Sequence, residues 1–239
     1  FTATEEYKNR VIQLGEKPNK VFNVGGMGIE NIKKLKLFSK KELEKSINFK
    51  FNKRNILITY HPVTLENNTS KQQFQALLDS INELDHTNII FTKSNSDLNG
   101  KIINQMIDKY TRKYSHKSVG FISLGQTNFL SVLKYMDAVV GNSSSGLIEA
   151  PSFKIATINI GDRQKGRIKA KSVIDCNPNK KSIRSSLKKI YSRDFQKSLN
   201  NVKNPYDNGL PSKKIVRVLK NLNLENILKK NFYDIDYSL

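Results

Sequence analysis

The sequence places a group of small polar residues directly after the apolar run Ala138–Gly141, in the segment GNSSSGLIE that ends at Glu149. A helix is predicted to begin near Ser144, and the free N–H groups at the start of a helix bind phosphate oxygens. The hydroxyls of Ser143 and Ser144 add donors, and Glu149 can accept hydrogen bonds from vicinal ribose hydroxyls. The segment therefore indicates a nucleoside diphosphate site. The alternative is that the serines only cap a helix and that Glu149 is a surface charge.

Two further polar segments follow other apolar runs. Gly161–Arg167 brings Arg163, whose forked guanidinium suits phosphate. His61 follows the first run, and an imidazole with a pKa near neutrality can protonate a leaving group or donate a hydrogen bond to it. The alternative for His61 is the commoner one, a structural or exposed histidine. His86 and His116 lie in polar contexts, and we assign them no role.

Short runs rich in Ile and Val alternate with helical patterns along the middle of the chain. The predicted strands are Asn55–Tyr60, Asn88–Phe91, Val119–Ile122, Ala138–Gly141, Ile155–Ile160 and Ser172–Asp175. The predicted helices between them are Ser70–Leu84, Ile103–Tyr114 and a shorter one at Phe129–Tyr135. Continuous apolar runs are typical of parallel strands covered on both faces, and their alternation with helices predicts an α/β fold with a doubly wound parallel sheet. Ligands bind at the carboxyl ends of such strands, which is where the polar segments stand.

The two ends of the chain are predicted to be appended pieces. A capping box at Thr2 and Glu5 predicts a helix that runs to about Leu14. A turn-rich break at Pro205–Pro211 precedes a final amphipathic helix. Because Phe1 stands where an initiator Met is expected, we expect a fragment of a longer polypeptide.

Composition excludes several classes of protein. The 239 residues contain 41 Lys and Arg against 21 Asp and Glu, a net charge of +20. Such a charge favours nucleic acid as a partner only when the basic residues form a stripe, and here they are spread along the chain, so a nucleic-acid-binding domain is kept as a competing hypothesis only. The charge equally suits an anionic small substrate.

The lone Cys176 excludes an internal disulfide framework and a multi-thiolate zinc site, and the scattered histidines predict no metal. No apolar run is long enough to cross a membrane and no signal peptide is evident, which predicts a cytoplasmic protein with no membrane partner.

Taken together, these segments resemble the hydrolysing UDP-N-acetylglucosamine 2-epimerases of sialic- and nonulosonic-acid biosynthesis. The motifs that carry the resemblance are TEEY, VFNVG, HPVT, NSD, GNSSSGLIEA, GDRQKGR and NPY, which begin at Thr4, Val21, His61, Asn95, Gly141, Gly161 and Asn204. The resemblance implies the C-terminal half of a two-domain fold of the glycosyltransferase-B type, with Rossmann-like halves. Residues 1–25 are then the tail of the first domain and the junction, residues 26–204 the UDP-binding domain, and residues 205–239 the return helix and tail that pack toward the first domain.

The resemblance also implies roles for particular residues. The active-site histidine is His61, and the implied UDP-binding residues are Asn95, Leu124, Ser143, Ser144, Glu149 and Arg163. Asn95 and the backbone near Leu124 match positions on the uridine and nucleotide side, the two serines match diphosphate donors, and Glu149 matches the ribose carboxylate. Arg167 matches a family arginine to which no role is assigned.

For the reaction, the resemblance implies elimination of UDP followed by hydration, which gives N-acetylmannosamine and UDP. It implies no cofactor, UDP or a UDP-N-acetylhexosamine as ligand, and a homo-oligomer. The acidic residues that handle the protons of the sugar belong to the first domain in this family, so we expect this chain to bind UDP without turning over substrate. Two alternatives stay open: an epimerase of a UDP-2,4-diacetamido-trideoxyhexose, and a UDP-sugar glycosyltransferase of the same fold.

Overall fold

The computed structural model describes residues 1–63, 69–94, 98–225 and 227–235. The chain forms two compact units, one made of Phe1–Lys34 with Asn204–Leu239 and the other of Leu35–Lys203. The predicted division at residues 25 and 204 into parts of a longer two-domain protein stays a prediction.

The larger unit is an α/β unit around a six-stranded sheet. Its strands are β1 Arg54–Thr59, β2 Thr87–Thr92, β3 Ser118–Phe121, β4 Ala138–Gly141, β5 Ala156–Ile160 and β6 Val173–Cys176. The helices of the whole chain are α1 Glu5–Gln13, α2 Met27–Lys34, α3 Lys40–Ser46, α4 Ser70–Ile81, α5 Leu98–Lys113, α6 Gly125–Leu133, α7 Ser145–Ile148, α8 Lys180–Ile190, α9 Arg193–Leu199 and α10 Pro211–Lys220.

All neighbouring strands pair in parallel, in the order β3-β2-β1-β4-β5-β6. The prediction of a doubly wound parallel sheet is therefore confirmed. Consecutive residues are buried throughout β4 and β5 and nearly throughout β1 and β2, as expected for strands covered on both faces. The strand order reverses between β1 and β4, and a crevice at such a switch point is the usual ligand site of an open α/β sheet.

One face of the sheet carries the main core of the larger unit. Alternate residues of the central strands pack there against α4, α5 and α8, and the core includes Ile56, Ile58, Phe74, Leu77, Ile89, Phe91, Ile107, Val140, Ile158 and Leu187. Full burial of each such side chain contributes about 1.5–3 kcal/mol. This packing fixes the carboxyl ends of β1, β4 and β5, which the polar segments follow.

The predicted helix at the start of the chain forms, but its cap differs from the prediction. Thr4, rather than Thr2, is the N-cap of α1, and its hydroxyl accepts a hydrogen bond from the Tyr7 N–H at 3.2 Å. Thr2 instead forms an isolated main-chain bridge with Asn23. A threonine at position 2 or 4 is compatible with a helix start, but the main chain of Thr2 is used in the bridge to Asn23.

A buried carboxylate links α2 to the start of α10 in the smaller unit. Glu30, only 3% exposed, accepts hydrogen bonds from the N–H of Ser212 at 2.8 Å and from its hydroxyl at 2.6 Å, and it pairs with Lys34. Hydrogen bonds from Lys34 and then from Ser212 lower the pKa of Glu30 to about 2. The predicted final helix is confirmed as α10, with Val216 and Leu219 exposed.

Candidate functional site at the ends of β1, β4 and β5

A close approach of two strands brings the polar segments together. Gly141, the last residue of β4, has φ +138°, and a Cβ at this position would overlap the carbonyl oxygen of Thr59 at the end of β1. Only glycine allows this approach. The N–H of Asn142 then donates to the same Thr59 carbonyl at 3.2 Å, so the chain leaves β4 directly beside the segment that carries His61.

Asn142 joins three segments of the site. Its side chain spans the main chain of His61, because Oδ1 accepts from the His61 N–H and Nδ2 donates to the His61 carbonyl, both at 2.7 Å. Its own carbonyl accepts from Arg163 Nη1 at 3.0 Å and from Gln164 Nε2 at 2.8 Å. Asn142 and Gln164 have no predicted role from the sequence, although a polar residue directly after a buried strand is a signal that points to Asn142.

The serine segment presents unpaired donors. The N–H groups of Ser143 and Ser144 and the hydroxyl of Ser144 have no acceptor among the described residues, whereas Ser145 Oγ donates to Ser143 Oγ at 3.0 Å. All three serines are partly buried. Unpaired main-chain donors that follow the carboxyl end of a strand are suited to bind an anion.

The helix predicted to begin near Ser144 is confirmed, and it is short. Helix α7 spans only four residues and is followed by a 3₁₀ turn over Ala150–Phe153. Pro151 explains the early end, since its ring has no N–H and clashes with the carbonyl four residues earlier. The donors of this site are individual N–H and hydroxyl groups, and the contribution of a helix dipole stays a prediction.

Glu149 lies at the end of α7 and is partly buried, so the structure does not support its interpretation as an exposed surface charge. Burial raises the pKa of its carboxyl to about 7, while its own backbone N–H acts in the opposite direction. No cation of the described part of the chain pairs with it. A desolvated carboxylate of this kind is well suited to accept hydrogen bonds from a ligand.

The imidazole of His61 contacts a serine that follows the neighbouring strand β2. His61 Nδ1 lies 3.2 Å from the hydroxyl of Ser94, which follows β2 and is 8% exposed. Ser94 is fixed in turn by Asn104, whose side chain accepts from the Ser94 N–H at 2.8 Å and donates to the Ser94 carbonyl at 3.1 Å. A hydrogen bond to one ring nitrogen orients an imidazole and selects its tautomer.

The loop after β5 adds positive charge. Burial and then the nearness of Arg167 lower the pKa of the Arg163 guanidinium, although the residue as a whole is exposed. Arg163 reaches the site through its bond to the Asn142 carbonyl, whereas Arg167 stays exposed in the same loop. The loop therefore brings one arginine, Arg163, next to the unpaired N–H groups, with Arg167 near enough to Arg163 to influence its pKa.

One further predicted residue, Leu124, lies apart from this group. Leu124 follows β3, three strand spacings from β4, or about 14 Å at ~4.8 Å per spacing, and its side chain is buried. Asn95 lies outside the described residues. Within the described ranges, no group of three or more His, Cys, Asp or Glu residues is arranged to hold a metal ion. The described helices include none with the length and apolar character of a membrane span.

Comparisons with known proteins point to one family. Residues 1–220 match the sequence model of the family described as UDP-N-acetylglucosamine 2-epimerase. The chain is 44% identical over 236 residues to the GDP/UDP-N,N'-diacetylbacillosamine 2-epimerase (hydrolyzing) of Campylobacter jejuni, with 98% of this chain and 61% of the relative covered. It is 41% identical over 239 residues to polysialic acid biosynthesis protein P7 of Escherichia coli, with 98% and 60% covered.

A solved structure shows the same fold. The UDP-GlcNAc 2-epimerase from Neisseria meningitidis bound to UDP-GlcNAc superposes with a TM-score of 0.75 at 21% identity, over 92% of this chain and 60% of that chain. The chain thus spans about three fifths of the length of the curated relatives it matches. From the extent of the family match and the identity to these relatives, the chain belongs to the UDP-N-acetylglucosamine 2-epimerase family.

Proposed function

We propose that the full-length protein containing this chain is a hydrolysing 2-epimerase of a UDP-linked 2-acetamido sugar. The observation that carries the proposal is the set of unpaired donors after β4, where the N–H groups of Ser143 and Ser144 have no acceptor among the described residues. Arg163 donates a hydrogen bond to the carbonyl of Asn142, the residue that precedes Ser143. Main-chain N–H groups next to a guanidinium are the donors that a diphosphate requires.

The other residues fit the two ends of a UDP molecule. Glu149 has no cation partner among the described residues, and a carboxylate repels phosphate but accepts hydrogen bonds from two neighbouring ribose hydroxyls. We place the diphosphate at Ser143 and Ser144, the ribose at Glu149, and the uracil toward the backbone at Leu124. The role of Asn95 on the uridine side is part of the same proposal.

In the proposed reaction a base removes the proton from carbon 2 of the sugar, a double bond forms between carbons 1 and 2, and UDP leaves with the electron pair of its bond to carbon 1. Water then adds, with its hydroxyl on carbon 1 and a proton on carbon 2, which gives the free epimerised sugar and UDP. We place His61 beside the departing diphosphate, where its imidazole donates a proton or a hydrogen bond to the leaving oxygen. No residue of this chain is assigned to the carbon 2 proton, so the chain alone is proposed to bind UDP without turnover.

Two sugars fit this chemistry, N-acetylglucosamine and a 2,4-diacetamido-trideoxyhexose. The printed names of two relatives favour the second sugar: that of the Campylobacter jejuni protein at 44% identity and that of a Legionella pneumophila UDP-N,N'-diacetylbacillosamine 2-epimerase (hydrolyzing) at 33% identity. A UDP-N-acetylglucosamine 2-epimerase from Neisseria meningitidis is 31% identical over a shorter stretch, 80% of this chain. We therefore propose UDP-N,N'-diacetylbacillosamine as the preferred substrate.

Turnover in deuterated water tests the reaction and the substrate together. The full-length protein is incubated with each UDP-sugar in turn, and we expect UDP and a free 2-epimer carrying deuterium at carbon 2, with higher kcat/KM for the diacetamido sugar. Release of UDP only after an acceptor is added would identify a glycosyltransferase instead. Intact substrate with both UDP-sugars contradicts the proposal.

Binding to this chain alone tests the UDP site. Calorimetry with UDP and with pyrophosphate is carried out on the native chain and on Glu149→Ala, and the substitution is expected to weaken UDP binding more than pyrophosphate binding. Equal losses would contradict the ribose role of Glu149. If the Kd for UDP is about 10 μM, roughly 1 mM UDP stabilises the chain by roughly 2.7 kcal/mol. No thermal shift with UDP, together with a salt-sensitive affinity for nucleic acid, would favour the competing nucleic-acid hypothesis.

A further inference from the structure

We propose that Asn142 is a positioning residue for His61, and that it sets the imidazole against the leaving diphosphate. This inference rests on the proposed function, which places His61 at that oxygen. Asn142 touches no reacting atom in the proposal and acts only through the main chain of His61.

Each polar atom of Asn142 is used, and each of them binds an element of the site. Asn142 is 1% exposed. The amide side chain bonds both main-chain groups of His61 at 2.7 Å, the N–H of Asn142 bonds Thr59, and its carbonyl receives Arg163 and Gln164. A buried side chain satisfied in this way is held in one rotamer and transmits that order to its partners.

The chemistry of the side chain explains why the residue is asparagine. The pairing of β1 with β4 ends at Thr59 and Gly141, so His61 lies beyond the last paired residues. The amide of Asn142 offers one acceptor and one donor side by side, and thereby continues the hydrogen bonding between the two segments beyond the last paired residues. Aspartate would place a carboxylate oxygen against the His61 carbonyl, and leucine would supply neither group.

The two halves of Asn142 are separable by mutation. Asn142→Ala removes the amide that holds His61 but keeps the carbonyl that receives Arg163 and Gln164. The contact of the His61 ring with Ser94 also remains. The substitution therefore frees the backbone that carries the imidazole, while the donors assigned to the diphosphate keep their anchor.

The first experiment measures kinetics on the full-length protein with its preferred UDP-sugar. We expect Asn142→Ala to lower kcat by about 10- to 100-fold, as for a misplacement of about 1 Å, with KM and the Kd for UDP changed by less than about threefold. The matched control is Asn159→Ala, since Asn159 is an equally buried asparagine on the adjacent strand β5, and its side chain donates to Asp175 instead of His61. The control is expected to keep kcat within about threefold.

The second experiment reads the imidazoles directly. The chain has three histidines, so the ¹⁵N ring signals of His86 and His116 are internal references for His61. In Asn142→Ala we expect only the His61 signals to shift or broaden, and in Asn159→Ala none. Asn142→Asp gives the same test if Asn142→Ala does not fold, because it keeps the acceptor for the His61 N–H and loses the donor.

The outcomes separate this inference from the proposed function. If His61→Ala turns over at the native rate, the role proposed for His61 is wrong and the inference falls with it. If His61→Ala is impaired while Asn142→Ala keeps its kcat and its His61 ring signals, only the inference is overturned. Equal losses in Asn142→Ala and Asn159→Ala would reduce Asn142 to a structural residue and overturn it as well.

Discussion

Replacement of Glu149 by glutamine is expected to stabilise the protein, and more so at high pH. Burial raises the pKa of this carboxyl from an ordinary 4.5 to about 7 in the folded chain. Because the folded state holds the proton more tightly than the unfolded state, the free energy of unfolding falls as the pH rises from about 4.5 to 7, and the loss is complete above 7. At ~1.36 kcal/mol per pKa unit, the carboxylate costs about 3 kcal/mol at pH 8 and less than about 1 kcal/mol at pH 5.

Urea denaturation of the native chain and of Glu149→Gln at the two pH values measures this cost. We expect the variant to be more stable by about 3 kcal/mol at pH 8 and by less than about 1 kcal/mol at pH 5, and to bind UDP less tightly, a trade of stability for function. Asp162→Asn, which removes an exposed carboxylate in a neighbouring loop, is the matched control and is expected to change the free energy of unfolding by less than about 0.5 kcal/mol. A difference between Glu149→Gln and the native chain that is the same at both pH values would refute the reasoning, since Glu149 would then be ordinarily solvated.

Three other substitutions test separate parts of the structure. Gly141→Ala adds a Cβ against the Thr59 carbonyl at φ +138°, and it is expected to lower the free energy of unfolding, measured by urea denaturation, by about 3 kcal/mol. The control Gly161→Ala, where the space is open, is expected to lower it by about 1 kcal/mol. Equal losses would contradict the close approach of the strands. Because the pKa of Glu30 is lowered to about 2, its contribution to the free energy of unfolding is complete above pH 4.5 and is lost as the pH falls toward 2. Glu30→Gln should therefore make the free energy of unfolding less dependent on pH in this acid range. An unchanged pH dependence there would count against the buried carboxylate. His61→Ala is expected to lower kcat of the full-length protein by about 100-fold or more with little change in KM, and an unchanged kcat would remove His61 from the chemistry.

The sheet could be read from the sequence because its strands are apolar on consecutive residues. The run Ala138–Gly141 is reproduced without change, and the other five predicted strands agree with the structure to within one residue at every end. Helix α8 was not predicted, although Ile183, Leu187 and Ile190 recur at helical spacing and pack on the sheet. Lys188 and Lys189 lie between these apolar residues, and a helix with one buried face carries such charges on its other face.

The site was only partly readable, for a physical reason. Ser143, Glu149 and Arg163 carry functional groups whose chemistry is visible in the residue type itself. The role of Asn142 depends on β1 and β4 being neighbours in the sheet, although they are about 80 residues apart in sequence, as the 81-residue separation of its bonds to His61 shows. No local pattern encodes that adjacency, which arises from the order of the strands.

The predicted homo-oligomer and the cytoplasmic location stay predictions. The coarser conclusion, membership of the UDP-N-acetylglucosamine 2-epimerase family, stands on the family match over residues 1–220 and on relatives at 44% and 41% identity.

The crystal structure of this chain with UDP is the most direct test of the proposed site. The diphosphate is expected within hydrogen-bonding distance, about 2.7–3.2 Å, of the N–H groups of Ser143 and Ser144, with the ribose hydroxyls on the carboxylate of Glu149. UDP bound away from the ends of β1, β4 and β5, or no bound UDP at a concentration that saturates the chain in solution, would contradict the site.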